Sequence, residues 1–248
     1  MSRPVLWTLL LGAIGGFVDA VGFLALFQLF TAHMSGNSVW FGAAFGLGEW
    51  RISLHHLFPI PLFVIGVAVG TIAVDVARRR QLRAPFVPAL FIEAIFLTGF
   101  TIFGSAYVVD DAVRPPALWA FYLLAALPAF AMGVQNAALR QVAGQTLHTT
   151  YITGVLQSMT ENAVRYLYWL RRCAGRSGLG HALRSSAQQP ELRAALAAFA
   201  LWLAYVSGAI GGGFASHRWG LPALAVPVAV LIALIVTDLV RPRAEGSR

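Results

Sequence analysis

The chain has 248 residues, of which 58% are hydrophobic and only 11% charged, and its mean hydropathy is +0.71. A soluble domain carries roughly 25% charged residues, so there is too little polar side chain here to coat a water-facing surface. The formal charge of +8 reflects arginine alone, since the chain has no lysine, and the arginines lie between apolar blocks rather than along one face. That distribution points to orientation in a membrane and away from nucleic acid.

The apolar residues fall in blocks long enough to cross a bilayer, which takes about 20 residues. The first block, 5–30, follows Arg3 much as a secretory leader would, but no small-residue cleavage site follows. It runs on past Asp19 and Gln28 and is expected to be an uncleaved first span. Residues 31–47 are short for a span and hold His33, Ser35, Asn37 and Ser38. A second span is expected over 57–77, closed by the cluster Arg78, Arg79, Arg80 and Arg83. A third, 86–109, leads into a link with Asp110, Asp111 and Arg114, and a fourth covers 117–139. Residues 149–170 are long enough to cross but carry Thr153, Gln157, Ser158, Glu161, Asn162 and Arg165, a set that lipid penalises heavily. The cluster Arg171, Arg172, Arg176 and Arg184 follows, then spans at 194–215 and 221–240, then Arg241, Arg243 and Arg248.

Arginine accumulates in short cytoplasmic loops. Six spans with both termini inside put all three clusters in the cytoplasm and leave Arg51, Arg114 and Arg218 outside. Eight spans would expel the second and third clusters. The segments 31–47 and 149–170 are therefore expected to be re-entrant, interfacial or shielded helices, because irregular or polar backbone at membrane depth must be covered by protein or a wet cavity. On this topology His55 and His56 sit in an external loop beside Glu49. Cys173, the single cysteine, lies in a cytoplasmic loop as a reduced thiol.

The chain also repeats itself. Gly16, Asp19 and Ala20, followed by 32–37, match Gly133, Asn136 and Ala137, followed by 149–154. Residues 63–70, with Gly66 and Gly70, match 205–212, with Gly208 and Gly212, and 87–90 match 221–224. Four matching blocks in one order divide the chain into halves 1–112 and 113–248, each with three spans and one polar segment. An odd span count gives the halves opposite orientations, the inverted-repeat plan of many secondary transporters, whose sites lie near the midplane between discontinuous helices. The expected fold class is thus all-α: a polytopic membrane helix bundle of two inverted three-span repeats forming one membrane domain.

These blocks resemble the YoaK-like family of bacterial integral membrane proteins. The most specific match is Thr31-Ala32-His33-Met34-Ser35-Gly36-Asn37 downstream of an aspartate in the first span, similar to the family's A-H-M-T-G-N. Ser35 stands where threonine is commoner and keeps the hydroxyl. The resemblance covers nearly the whole chain. It implies a bacterial cytoplasmic-membrane protein with about six spans, and it implies no substrate.

Asp19 is the most informative charge, because a carboxylate in mid-span costs at least about 2.5–3.5 kcal/mol against lipid. It is read as a substrate contact, ion ligand or proton carrier, or else as a structural hydrogen-bonding group; its repeat mate is Asn136, with Gln135 beside it. Glu93 is read either as paired with a nearby arginine or as functional, Asp75 and Asp238 as span-end groups, and Arg140 as snorkelling or contacting an anion. Glu161 and Arg165, four apart, are expected to pair across one helical turn. The hydroxyl-rich segments 31–37 and 149–154 suit unwound stretches leading into helix N-termini, which favour anions. The expected substrate-binding set is Asp19, His33, Ser35, Asn37, Gln135, Asn136, Thr150 and Thr153, with the two polar segments converging across a midplane cavity. Gly12-x-x-x-Gly16, Gly42-x-x-x-Gly46, Gly66-x-x-x-Gly70 and Gly208-x-x-x-Gly212 are helix-packing motifs, with dimerisation left open.

No G-x-S-x-G elbow, H-E-x-x-H site or phosphate loop occurs. His33 and Ser35, two apart, would not face each other on a helix, so no catalytic role, cofactor or metal is expected. Secondary transport of a small polar or anionic solute, coupled to an ion or proton through Asp19, is the leading reading. A non-catalytic membrane factor binding a lipid or protein partner comes second, and an intramembrane enzyme third. Membrane lipid and a small-molecule solute are the expected partners, and nucleic acid is not.

Overall fold

The computed structural model describes residues 3–26, 28–107, 118–143 and 152–240. Among these the regular elements are all helical: α1 (Arg3–Ala25), α2 (Met34–Gly46), α3 (Trp50–Leu57), α4 (Pro59–Arg79), α5 (Val87–Tyr107), α6 (Leu118–Ala143), α7 (Ile152–Ser177), α8 (Leu179–Ser186), α9 (Pro190–Trp219), a 3₁₀ turn (Leu221–Leu224) and α10 (Ala225–Val240). Six stretches among the described residues are long and apolar enough to span: Arg3–Ala25, Trp50–Arg79, Val87–Ala106, Trp119–Arg140, Pro190–Trp219 and Leu221–Val240. Neither α2 nor α7 is among them. The protein is an all-α, multi-pass membrane bundle, as its composition requires.

Two local expectations need correction. The first span is expected to run to Phe30, yet α1 ends at Ala25. Gln28 adopts φ 65°, and its N–H donates back to the Phe23 carbonyl at 3.0 Å, closing the helix with a left-handed cap. The apolar run continues because Leu26 and Leu29 are buried in the core from a loop, not from a helix. His55 and His56, read as lying in an external loop, belong to the short helix α3. It buries His56 in a stack on Trp40, with ring centroids 5.2 Å apart.

The bundle is built on two close helix crossings, α1 with α9 and α4 with α6. At the first, a methyl group on Gly16 would collide with the Tyr205 carbonyl, and one on Gly208 with the Ala13 carbonyl. At the second, a methyl on Gly133 would collide with the Phe63 carbonyl, and one on Gly66 with the Phe130 carbonyl. Small residues let backbones approach this closely where no hydrophobic force drives helices together in lipid. The two crossings use corresponding positions of the two sequence halves: Gly16 with Gly133, Gly66 with Gly208, Phe63 with Tyr205. Gly42 and Gly46 on α2 meet no neighbour.

α1 and α6, the first helices of each half, are the most enclosed, with 61% and 67% of their spanning windows buried against 17% for α9. They pack on each other, and α5 lies on α6, α10 and the 3₁₀ turn. α5 turns Phe91, Ile95, Ile102 and Phe103 outward and buries Leu90, Leu97 and Phe100, which fits a helix with one face toward lipid. The polar segments sit differently. α2 rests on α3 and α4, while α7 lies on α9 and α8. Val155 of α7 is buried with Ala198 and Leu201 of α9, and the opposite face exposes Glu161, Arg165, Arg171 and Arg172.

Candidate functional site: two polar layers on the first helix

Asp19 lies on the core face of α1, 4% exposed, and both its oxygens are occupied. Oδ1 accepts from the Thr31 N–H at 2.7 Å, the Thr31 hydroxyl at 3.1 Å and the Ala32 N–H at 2.9 Å. Oδ2 accepts from the Tyr205 hydroxyl of α9 at 2.9 Å. The geometry follows from the early end of α1. The chain doubles back beside its last turns, and Gly22 leaves room for the Thr31 side chain, which any Cβ there would strike.

Asn37, fully buried in the first turn of α2, grips the same loop from the other side. Its amide donates to the Phe30 carbonyl at 2.7 Å and its carbonyl accepts from the Phe30 N–H at 3.0 Å. Residues 30–32 have no helix or sheet to satisfy their backbone, and Asp19 and Asn37 supply the missing partners. Two predicted site residues thus meet through one loop.

His33 and Ser35 stand at its rim, half-buried and exposed. They would not face each other on a helix, but here they do. His33 precedes α2 rather than lying on it, and Ser35 Oγ sits 3.2 Å from His33 Nε2. No carboxylate hydrogen-bonds His33 among the described residues, so the pair lacks the third group that orients a catalytic base.

A second polar layer lies one helical turn away. A Cβ at Gly15 would sit 3.2 Å from Gln135 Oε1, and Gly15 is four residues before Asp19, about 6 Å along the axis. Gln135, on α6, donates through Nε2 to Glu93 Oε1 of α5 at 2.9 Å. Glu93 is fully buried, and its Oε2 has no hydrogen-bond partner among the described residues. Its partner is an amide and not one of the nearby arginines.

Of the remaining predicted residues, Asn136 and Thr153 are not drawn in. Asn136 is half-buried on α6, and Thr150 lies outside the described residues. Thr153 is exposed in the first turn of α7, whose main packing partners, α8 and α9, are not those of α2. Glu161 and Arg165 pair at 3.8 Å as the spacing requires, but at the surface, where such pairs contribute little. Among the described residues no three His, Cys, Asp or Glu side chains gather as metal ligands. His55 packs instead against Phe121, with ring centroids 4.6 Å apart.

Sequence reasoning missed Tyr205. One signal was available: a tyrosine stands where the matching block of the first half has Phe63. It also missed the Glu93–Gln135 pair, although each is a polar side chain inside an apolar block.

The comparisons with known proteins agree with this architecture. No solved structure matches the chain. The chain is 28% identical over 165 residues to the UPF0700 transmembrane protein YoaK of Bacillus subtilis (strain 168), covering 66% of this chain and 68% of that one. The profile of a family described as "Protein of unknown function (DUF1275)" matches residues 7–237, nearly the full length and both polar layers, and the chain belongs to that family.

Proposed function

We propose that this protein is a secondary transporter of a small polar or anionic solute in the bacterial cytoplasmic membrane. In this reading halves 1–112 and 113–248 form an inverted repeat, and both termini face the cytoplasm. The observation that carries the reading is the interruption between α1 and α2. Its Thr31 and the adjoining Asn37 of α2 are buried among apolar helices, and a carboxylate and an amide hold its backbone polar groups. Broken helices at membrane depth are tolerated where protein or a solute pathway encloses them, and they form the sites of many transporters. The matched crossings of α1 with α9 and α4 with α6 support the repeat, because a twofold in the membrane plane exchanges equivalent helix pairs. His33 and Ser35, at the accessible edge of the loop, are the residues placed to meet a solute first.

The test has two stages. Purified protein is screened for thermal stabilisation across a panel of small polar and anionic metabolites, and stabilising compounds are then assayed for counterflow in proteoliposomes. Saturable counterflow that weakens in Ser35→Ala is the expected result. Retention of a lipid or protein partner through purification, with no flux of any stabilising compound, would make the protein a membrane-binding factor instead.

A further inference from the structure

Glu93 is the least satisfied charged-type side chain in the described bundle. It has no exposed surface, one hydrogen bond from the Gln135 amide on Oε1, and none on Oε2. Among the described residues nothing cationic answers it. The elements packed on α5 carry Asp75, Arg78 and Arg79 on α4, Tyr122 and Arg140 on α6 and Asp238 on α10, and none hydrogen-bonds or ion-pairs with Glu93. An isolated carboxylate is so unfavourable in such surroundings that the group takes up a proton instead. Its one partner suits the neutral form. Gln135 gives a carboxylate a single N–H, but it gives a carboxylic acid that N–H and also a carbonyl oxygen to receive the acid's O–H. Asp19, one helical turn from Gly15, has the opposite setting, with four donors converging on two oxygens.

We propose that Glu93 is the proton-binding group of the bundle. It holds a proton while α4, α6 and α10 are closed around α5 and releases that proton when their separation admits water to Oε2. The coupling ion of the transporter is then a proton, carried by Glu93 and not by Asp19. The purpose of the site rests on the transport reading, but its chemistry does not.

The test is infrared spectroscopy of the full chain in liposomes at pH 7, with glutamate carrying a ¹³C carboxyl label. The expected spectrum contains the carbonyl stretch of a protonated carboxylic acid that shifts with the label, disappears in Glu93→Gln and survives in Asp19→Asn. If Glu93→Gln fails to insert, the label shift in the wild-type protein decides, because Glu93 is the only fully buried glutamate among the described residues. Absence of any label-sensitive acid band, or its survival in Glu93→Gln, overturns the proposal. The band together with no pH-driven flux of any solute leaves the proton site standing and removes the transport reading. Flux without the band does the reverse.

Discussion

Asp19 and Glu93 are both carboxyl groups buried in the same bundle, on two helices that each pack against α6, in layers about one turn apart. They differ in what surrounds them. Asp19 collects two backbone N–H groups and two hydroxyls, whereas Glu93 has one amide and an unpartnered oxygen. A buried polar oxygen needs a donor, and among the described residues both Asp19 oxygens have one while Oε2 of Glu93 does not. An acidic residue inside a membrane is therefore not one kind of site. Asp19 is built as a fastener for the broken end of α1, and Glu93 as a group free to change its protonation.

The largest effect should come from removing the fastener. Asp19→Ala leaves the Thr31 and Ala32 N–H groups and the Tyr205 hydroxyl without their acceptor, at about 1–3 kcal/mol for each buried unsatisfied group. A loss on the order of 3–5 kcal/mol is expected in detergent unfolding of the purified protein. A loss under about 1 kcal/mol would mean that the loop is held by Asn37 and packing alone.

Tyr205→Phe sharpens the same contrast at smaller scale. It removes one donor from a carboxylate that keeps three, and Phe63 fills the corresponding place in the other crossing, so the shape is tolerated. A loss of about 1.5–3 kcal/mol is expected, the usual contribution of a hydrogen bond to a charged group. The same substitution should make Asp19→Asn less costly than it is in the wild-type background, which a double-mutant cycle reads directly.

Most of this architecture was legible from the sequence, and the reason is physical. Apolar blocks of spanning length have few soluble alternatives, so six spans and two excluded polar segments followed from hydropathy and arginine placement. The two close crossings were legible because they demand glycine at fixed places, and Gly16, Gly66, Gly133 and Gly208 stand in sequence blocks that match. The end of α1 was not, because hydrophobicity cannot separate a spanning helix from an apolar loop that buries Leu26 and Leu29. The partners within the site were not legible either. Tyr205 is 186 residues from Asp19, and Glu93 is 42 from Gln135, so each pairing exists only once the helices have packed.

The smallest expected effect is at Gln28, which caps α1 in the left-handed region that favours glycine. Gln28→Gly removes that strain but adds freedom to the unfolded chain, and stability should change by less than about 1 kcal/mol. It alters the loop without touching its hydrogen bonds to Asp19. A large loss there would show that backbone shape, more than the carboxylate, sets the break.

The most direct measurement compares the two conservative neutralisations side by side: thermal unfolding of Asp19→Asn and Glu93→Gln in the same detergent at pH 7. Asn cannot accept all four of the bonds that Asp19 accepts, and it removes a charge that those donors stabilise. Gln at 93 resembles the protonated acid in shape and neutrality. The expected melting temperature is several degrees below wild type for Asp19→Asn and close to wild type for Glu93→Gln. The opposite order, with Glu93→Gln strongly destabilised and Asp19→Asn unchanged, would contradict it.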